Sequence, residues 1–207
     1  MEQDDEETKA LPEWVKLEYS HMLTLVAPSQ VHFTSLSASS IPPLKAHFAS
    51  SSSSNANLHT LPILDLIASL DPPVPQSRVC LLDPKAPLPL SPEDGEKFTW
   101  FLYGGILGDD PPRDRTSELR KLGFETRHLL SMQMTTDTAV GVSKIVVEDQ
   151  IPLDEIPFVD HPTITFNKHE SIEMPFRYVA TKEGEPILPP GMNKHLKADL
   201  DRTIDDF

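Results

Sequence analysis

A single cysteine, Cys80, in a chain of 207 residues leaves no partner for an intramolecular disulfide. It lies in the apolar run Arg78-Val79-Cys80-Leu81-Leu82, where a small buried strand residue is expected rather than a reactive thiol. Long apolar stretches are missing too: none approaches the ~20 residues that cross a bilayer as a helix. The acidic start, Met1 to Glu7, carries no basic-then-apolar leader pattern, so a reducing, cytoplasmic setting is expected. Positive charge is scarce. Against 32 acidic residues stand 18 basic ones, a net charge of −14. Such a surface repels phosphate backbones and attracts basic partners, which argues against direct binding of nucleic acid. RRM, zinc-finger and KH signatures are absent, as is the G-x-S-x-G nucleophile elbow. The eight histidines show no metal-ligand spacing, so no metal is predicted.

What is present is one domain's worth of chain. Hydrophobic residues make up 38% and there are 21 prolines, so the core must come from a subset of the sequence. Residues 1–10 read as a disordered N-terminus and residues 11–207 as a single domain. A helical pattern runs from Leu11 to about Val26, and a short strand is expected over Val31 to Leu36. The Ser-rich stretch from about 37 to 57 reads as a flexible insert, too poor in apolar residues to fold alone. Leu61 to Leu70 is a short helix stopped by Asp71-Pro72-Pro73. Strands are expected at Arg78 to Leu82, Phe98 to Tyr103 and Thr126 to Leu130. Asp110, Pro111 and Gly123 mark the start and end of a helix between the last two strands. Thr135 or Thr136 caps a further helix whose apolar face is Ala139, Val142, Ile145 and Val146. Strands alternating with helices predict an α/β fold, a parallel sheet with helices on both faces. From about residue 150 the pattern dissolves into an irregular C-terminal tail.

Gly104, Gly105 and Gly108 follow a strand and precede a helix, the place where α/β proteins receive ligands. The spacing fits neither the G-x-G-x-x-G fingerprint nor a P-loop. Asp109 and Asp110 beside the glycines would repel a phosphate, so an uncharged or cationic ligand end is expected there.

Two strings then stand out together. Gly104-Gly105-Ile106-Leu107-Gly108-Asp109 leads into Pro111-Pro112-Arg113-Asp114-Arg115-Thr116, and Gln133-Met134-Thr135-Thr136-Asp137-Thr138-Ala139 follows. With Trp14 to Ser20, Val79 to Pro84 and Phe166 to Pro190, they resemble the SPOUT methyltransferases, most closely the fungal protein-arginine N-methyltransferases of that superfamily. The resemblance implies a C-terminal trefoil knot in the sheet, S-adenosylmethionine as cofactor and an arginine of a small-subunit ribosomal protein as target. It also implies a monomer. The implied cofactor shell is Leu82, Asp83, Pro84, Gly104, Gly105, Ile106, Leu107, Gly108, Leu129, Gln133, Met134, Thr135 and Ala139. A planar guanidinium with five donors is best held by carboxylates, and Asp109, Asp114, Asp137 and Glu173 are the catalytic candidates. Arg113 and Arg115 are expected to pin the loops or pair with these acids. Family members open with an apolar strand ending in Glu-His upstream of Trp14, whereas this sequence opens Met1-Glu2-Gln3, so either the sequence is truncated or the sheet lacks one element. Two other readings stay open: a SPOUT RNA methyltransferase, which would need a basic face, and a non-catalytic acidic protein that retains the cofactor pocket.

Overall fold

The computed structural model describes residues 11–50, 54–105 and 116–205. Helix α1 (Glu13–Val26) follows Pro12 and has an acidic residue in its first turn, where the helix dipole favours negative charge. Val15, Tyr19, Met22 and Leu23 form its buried stripe, and the polar residues Glu18 and His21 are buried with them. Strand β1 (Val31–Phe33) pairs in parallel with β2 (Ala56–Leu58), and helix α2 (Ile41–Ser50) lies between them in sequence.

Helix α2 corrects the expectation of a flexible insert over 37–57. Leu44 and Phe48, one helical turn apart, are 1% and 3% exposed and join Tyr19, Met22 and Phe33 in one core. Phe48 stacks on Phe33 at 5.6 Å between ring centroids. The prolines that suggested a loop, Pro42 and Pro43, sit in the first turn, where a missing N–H breaks no helical bond. Ser37 Oγ accepts the Ser40 N–H at 3.2 Å just before the helix, so serines here fold back on the backbone. Two apolar anchors suffice because the rest of the core is already supplied by α1 and β1.

Helix α3 (Ile63–Ser69) precedes β3 (Val79–Leu82), whose four residues are between 0% and 6% exposed. A single turn, α4 (Asp94–Lys97), leads into β4 (Trp100–Leu102). Another, α5 (Ser117–Arg120), leads into β5 (Glu125–Arg127). The three strands form a parallel sheet in the order β4-β3-β5. Side chains alternate across a strand, and the central one shows it. Cys80 and Leu82 enter one apolar cluster, and Val79 and Leu81 enter another with Ile63 and Ile67 of α3. Burial pushes the Cys80 thiol up to about 12, as an inert core cysteine requires.

Helix α6 (Thr136–Val147) covers the Cys80–Leu82 face through Val142 and Val146, both 0% exposed, while Val140 packs into the α1 core. It therefore ties the two cores together. A Cβ on Gly141 would come within 3.2 Å of Leu25 Cδ1, which shows how closely α6 approaches α1. Both faces of the parallel sheet are covered, as the alternation of strands and helices predicted.

The tail from residue 150 is not irregular. Strand β6 (Phe158–Asp160) pairs antiparallel with a later strand, and β7 (Thr163–Thr165) with β8 (Ser171–Glu173). The partner of β6 is β9 (Arg177–Val179), and helix α7 (Met192–Asp205) packs against α1. These strands are three residues long, too short for alternation to register in the sequence. The helix expected from Asp110 to Gly123 is described only as α5, and its first half lies outside the described residues, as does the expected disorder of residues 1–10. Gly123, at φ +79°, closes that turn in the left-handed region.

Candidate active site

Because β3, β4 and β5 are parallel, their carboxyl ends open on one edge, and the segments leaving that edge form the candidate cofactor cradle. Leu82, Leu129, Met134 and Ala139 share one apolar cluster there, with Tyr103 beside them. Gly105 leaves the end of β4 exposed. A Cβ built on it meets no heavy atom among the described residues within 4 Å. Gln133 gives its carbonyl to the Arg177 N–H at 2.9 Å, so β9 fixes the loop before α6. Thr135 occupies the cap position of α6, but its hydroxyl bonds Thr138 Oγ1 at 2.8 Å rather than a backbone N–H. Gly104 is half-buried and Pro84 exposed. Ile106, Leu107, Gly108, Asp109 and Asp114 lie outside the described residues, as do Arg113 and Arg115.

Asp83 serves this edge as an anchor. Its backbone N–H reaches the Arg127 carbonyl at 2.9 Å. Its carboxylate, 2% exposed as a residue, receives Arg120 Nε at 2.5 Å and Nη2 at 2.8 Å, and the Lys85 N–H at 3.0 Å. The Arg120 hydrogen bonds hold Asp83 below the usual carboxylate range. Arg120→Ala is expected to destabilise the protein by about 2–4 kcal/mol at neutral pH, since a buried charge loses its partner. A carboxyl whose folded pKa is depressed contributes stability above its unfolded value, ~3.9, and loses it as pH falls through the folded value. Thermal melts of variant and wild type should therefore converge in acid; a gap unchanged from pH 7 to pH 2 would contradict the assignment.

Behind the cradle lies an acidic recess. Asp137, in the first turn of α6 between Met134 and Ala139, is 0% exposed. Its Oδ2 accepts the N–H of His21 Nδ1 at 2.7 Å. Glu18, one turn before His21 on α1, and Tyr178 on β9 are 5% and 1% exposed. Glu18 Oε2, Asp137 Oδ1 and Tyr178 Oη are buried without a hydrogen-bond partner among the described residues. Burial, and then the charge of Asp137, push Glu18 up to about 9. Burial first, and then these two acids, raise Tyr178. A surface cleft of about 180 Å³ has His21, Thr138, Gly141 and Val179 in its walls, with the Lys144–Asp149 ion pair (2.7 Å) alongside.

Such unpartnered oxygens are costly in the absence of a donor. What they match is a flat cation with several N–H groups. Of the sequence-based acids, the structure brings Asp137 to this recess and leaves Glu173 exposed on the β7–β8 hairpin. Sequence reasoning missed Glu18 and His21. Their signal was positional: Val15, Glu18, Tyr19 and Met22 recur at the three- and four-residue spacing of a buried face, so an acid fell where a core residue belongs.

The fold is a mixed α/β one built on a parallel sheet. Dual specific Trm10 from Thermococcus kodakaraensis shares that fold at TM-score 0.51 and 19% identity, over 68% of this chain and 84% of its own. Much nearer is the yeast arginine methyltransferase SFM1 complexed with SAM, 40% identical, with TM-score 0.84 over 96% of this chain and 88% of that one. Protein arginine N-methyltransferase SFM1 of Saccharomyces cerevisiae is 42% identical over 208 residues, 94% of this chain and 93% of its own. Residues 1–203 match the family described as protein arginine N-methyltransferase SFM1-like, and the chain belongs to that family.

Proposed function

We propose that this chain transfers the methyl group of S-adenosylmethionine to the guanidinium of an arginine in a basic protein. The observation that carries the reading is the pair of buried, donor-poor acids, Glu18 and Asp137, at the foot of the helix that closes the cofactor cradle. A guanidinium stays charged and planar at any physiological pH, and its fork of donors suits two carboxylates better than an ammonium does. The open space at Gly105 and the apolar rim of Leu82, Leu129, Met134 and Ala139 fit a neutral, flat adenine and a bent thioether chain. Held there, the cofactor supplies a methyl group on a cationic sulfur.

The protein's own part is alignment and charge placement. Asp137, oriented by His21, holds one edge of the guanidinium, and Tyr178 lines the same recess. Backbone groups of Leu82, Asp83, Pro84, Gly104, Gly105, Leu129, Gln133, Met134, Thr135 and Ala139 surround the cofactor. Ile106, Leu107, Gly108, Asp109 and Asp114, the other residues that the resemblance implies for the site, lie outside the described residues. Glu173, exposed on the hairpin, meets the substrate chain rather than the reacting nitrogen. The net charge of −14 favours a basic target, a small-subunit ribosomal protein in the cytoplasm. The enzyme works as a monomer, its sheet closed by a C-terminal trefoil knot.

The test is transfer of labelled methyl from S-adenosylmethionine into unmodified small ribosomal subunits, with products separated into protein and RNA. Methylarginine released from the protein fraction is the expected outcome. Label confined to RNA would replace this reading with an RNA methyltransferase.

A further inference from the structure

Resting on the arginine methyltransferase reading, we infer that Glu18 receives the proton that the arginine nitrogen sheds when it is methylated. Three features of the recess distinguish it from its neighbours. Asp137 has one oxygen committed to His21 at 2.7 Å, which fixes its orientation. Glu18 Oε2 is buried without a partner among the described residues, free to meet a donor that arrives from outside. Tyr178 is held as the neutral phenol by burial and the two acids around it, so it can donate but not accept a proton.

Among the described residues, the titratable groups that interact with Glu18 are Asp137 from α6 and Tyr178 from β9, and His21, on the same helix as Glu18, bonds Asp137. Two buried carboxyls at close quarters do not both ionise readily. Burial and the neighbouring charge of Asp137 keep Glu18 protonated at neutral pH in the free enzyme. A guanidinium entering between the acids brings the missing positive charge, and Glu18 then releases its proton to solvent.

The reaction closes on itself from that point. The arginine nitrogen forms its bond to the methyl carbon as the carbon–sulfur bond breaks, the bonding pair remaining on sulfur. The same nitrogen loses one N–H, whose proton goes to the Glu18 carboxylate. The product is again a guanidinium cation, now facing one carboxylate and one neutral acid. Its hold is weaker than the substrate's, which favours release, and Glu18 is back in the state from which the cycle began.

The test uses the full chain labelled with ¹³C at glutamate side-chain carboxyls, with Glu18→Gln identifying the Glu18 signal. At pH 7.5 the free enzyme should show Glu18 protonated. Adding guanidinium chloride together with S-adenosylhomocysteine should shift that signal to the ionised position. A signal already ionised in the free enzyme, or one unmoved by guanidinium, would overturn the inference. In turnover, Glu18→Gln should lower kcat by ~10²- to 10⁴-fold, as loss of a general base does, and raise KM, because the variant meets the substrate with one carboxylate instead of two. Its melting temperature should not fall, because glutamine copies the neutral acid. A kcat within threefold of wild type would remove Glu18 as the base while leaving the methyltransferase reading intact. Wild-type enzyme that methylates no arginine at all would overturn that reading, and the base with it.

Discussion

Asp137→Asn should nearly abolish arginine methylation while leaving the folded protein at least as stable as wild type. The activity loss follows from removing the buried Asp137 carboxylate from the recess. Interactions of that kind are worth about 3–4 kcal/mol in a transition state, or ~10²- to 10³-fold in kcat/KM. The stability result follows from the same geometry read in the free enzyme. An asparagine oxygen can still accept the His21 Nδ1 proton at the position of Oδ2. The new amide N–H groups then face Glu18 Oε2 and Tyr178 Oη, which lack partners among the described residues. Unpaired acceptors gain donors, which favours the folded state.

A pH dependence accompanies this. Glu18 in the folded protein sits at about 9 against its ordinary 4.5, so the native state binds that proton more tightly than the unfolded chain. Stability from this group is therefore full below the lower value and is lost as pH rises toward the upper one. Without the Asp137 charge the upper limit comes down, and the alkaline loss should be smaller in the variant. Parallel thermal melts from pH 5 to pH 9 and initial-rate kinetics check both halves. An active Asp137→Asn enzyme would remove this acid from the site, and a marked fall in melting temperature would mean that its charge serves the fold.

Gly105→Val is the second large effect. Glycine is often kept for a left-handed backbone, as at Gly123. Gly105 is not in that region, and a Cβ there meets nothing among the described residues within 4 Å. Among the described residues nothing opposes a side chain at this position, and on the function proposed above a valine there would occupy the cofactor site. Binding of S-adenosylmethionine by calorimetry should weaken by at least ~100-fold, about 2.7 kcal/mol. The melting temperature of the ligand-free protein should stay close to wild type. Unchanged affinity would take the glycine loop out of the site.

Both residues are legible in the sequence because each stands in an unusual string: Gly105 in the turn after an apolar strand, Asp137 in a Thr-rich helix start. The sheet is legible too, since Val79 to Leu82 is apolar on both faces and can only be a central strand. Helix α2 is not. Its serines and prolines carry loop character, and only the core supplied by α1 and β1 gives Leu44 and Phe48 somewhere to dock. The tail strands are hidden by their length, for three residues carry no period. Glu18 is hidden differently. A glutamate on a helix is ordinarily solvated, and its burial becomes visible only when α6 and β9 bring Asp137 and Tyr178 against it. Local sequence reports local structure, and a recess assembled from residues 18, 137 and 178 is a product of packing.

On the function proposed above, the recess of Glu18, Asp137 and Tyr178 accepts a flat, multiply donating cation. Two basic peptides of one sequence, differing only in arginine or lysine at the target position, test it directly with labelled S-adenosylmethionine. Transfer to the arginine peptide, with transfer to the lysine peptide lower by at least ~100-fold, is the predicted result, because an ammonium lacks the fork that spans two carboxylates. Equal labelling of the two peptides, or preference for lysine, would contradict it.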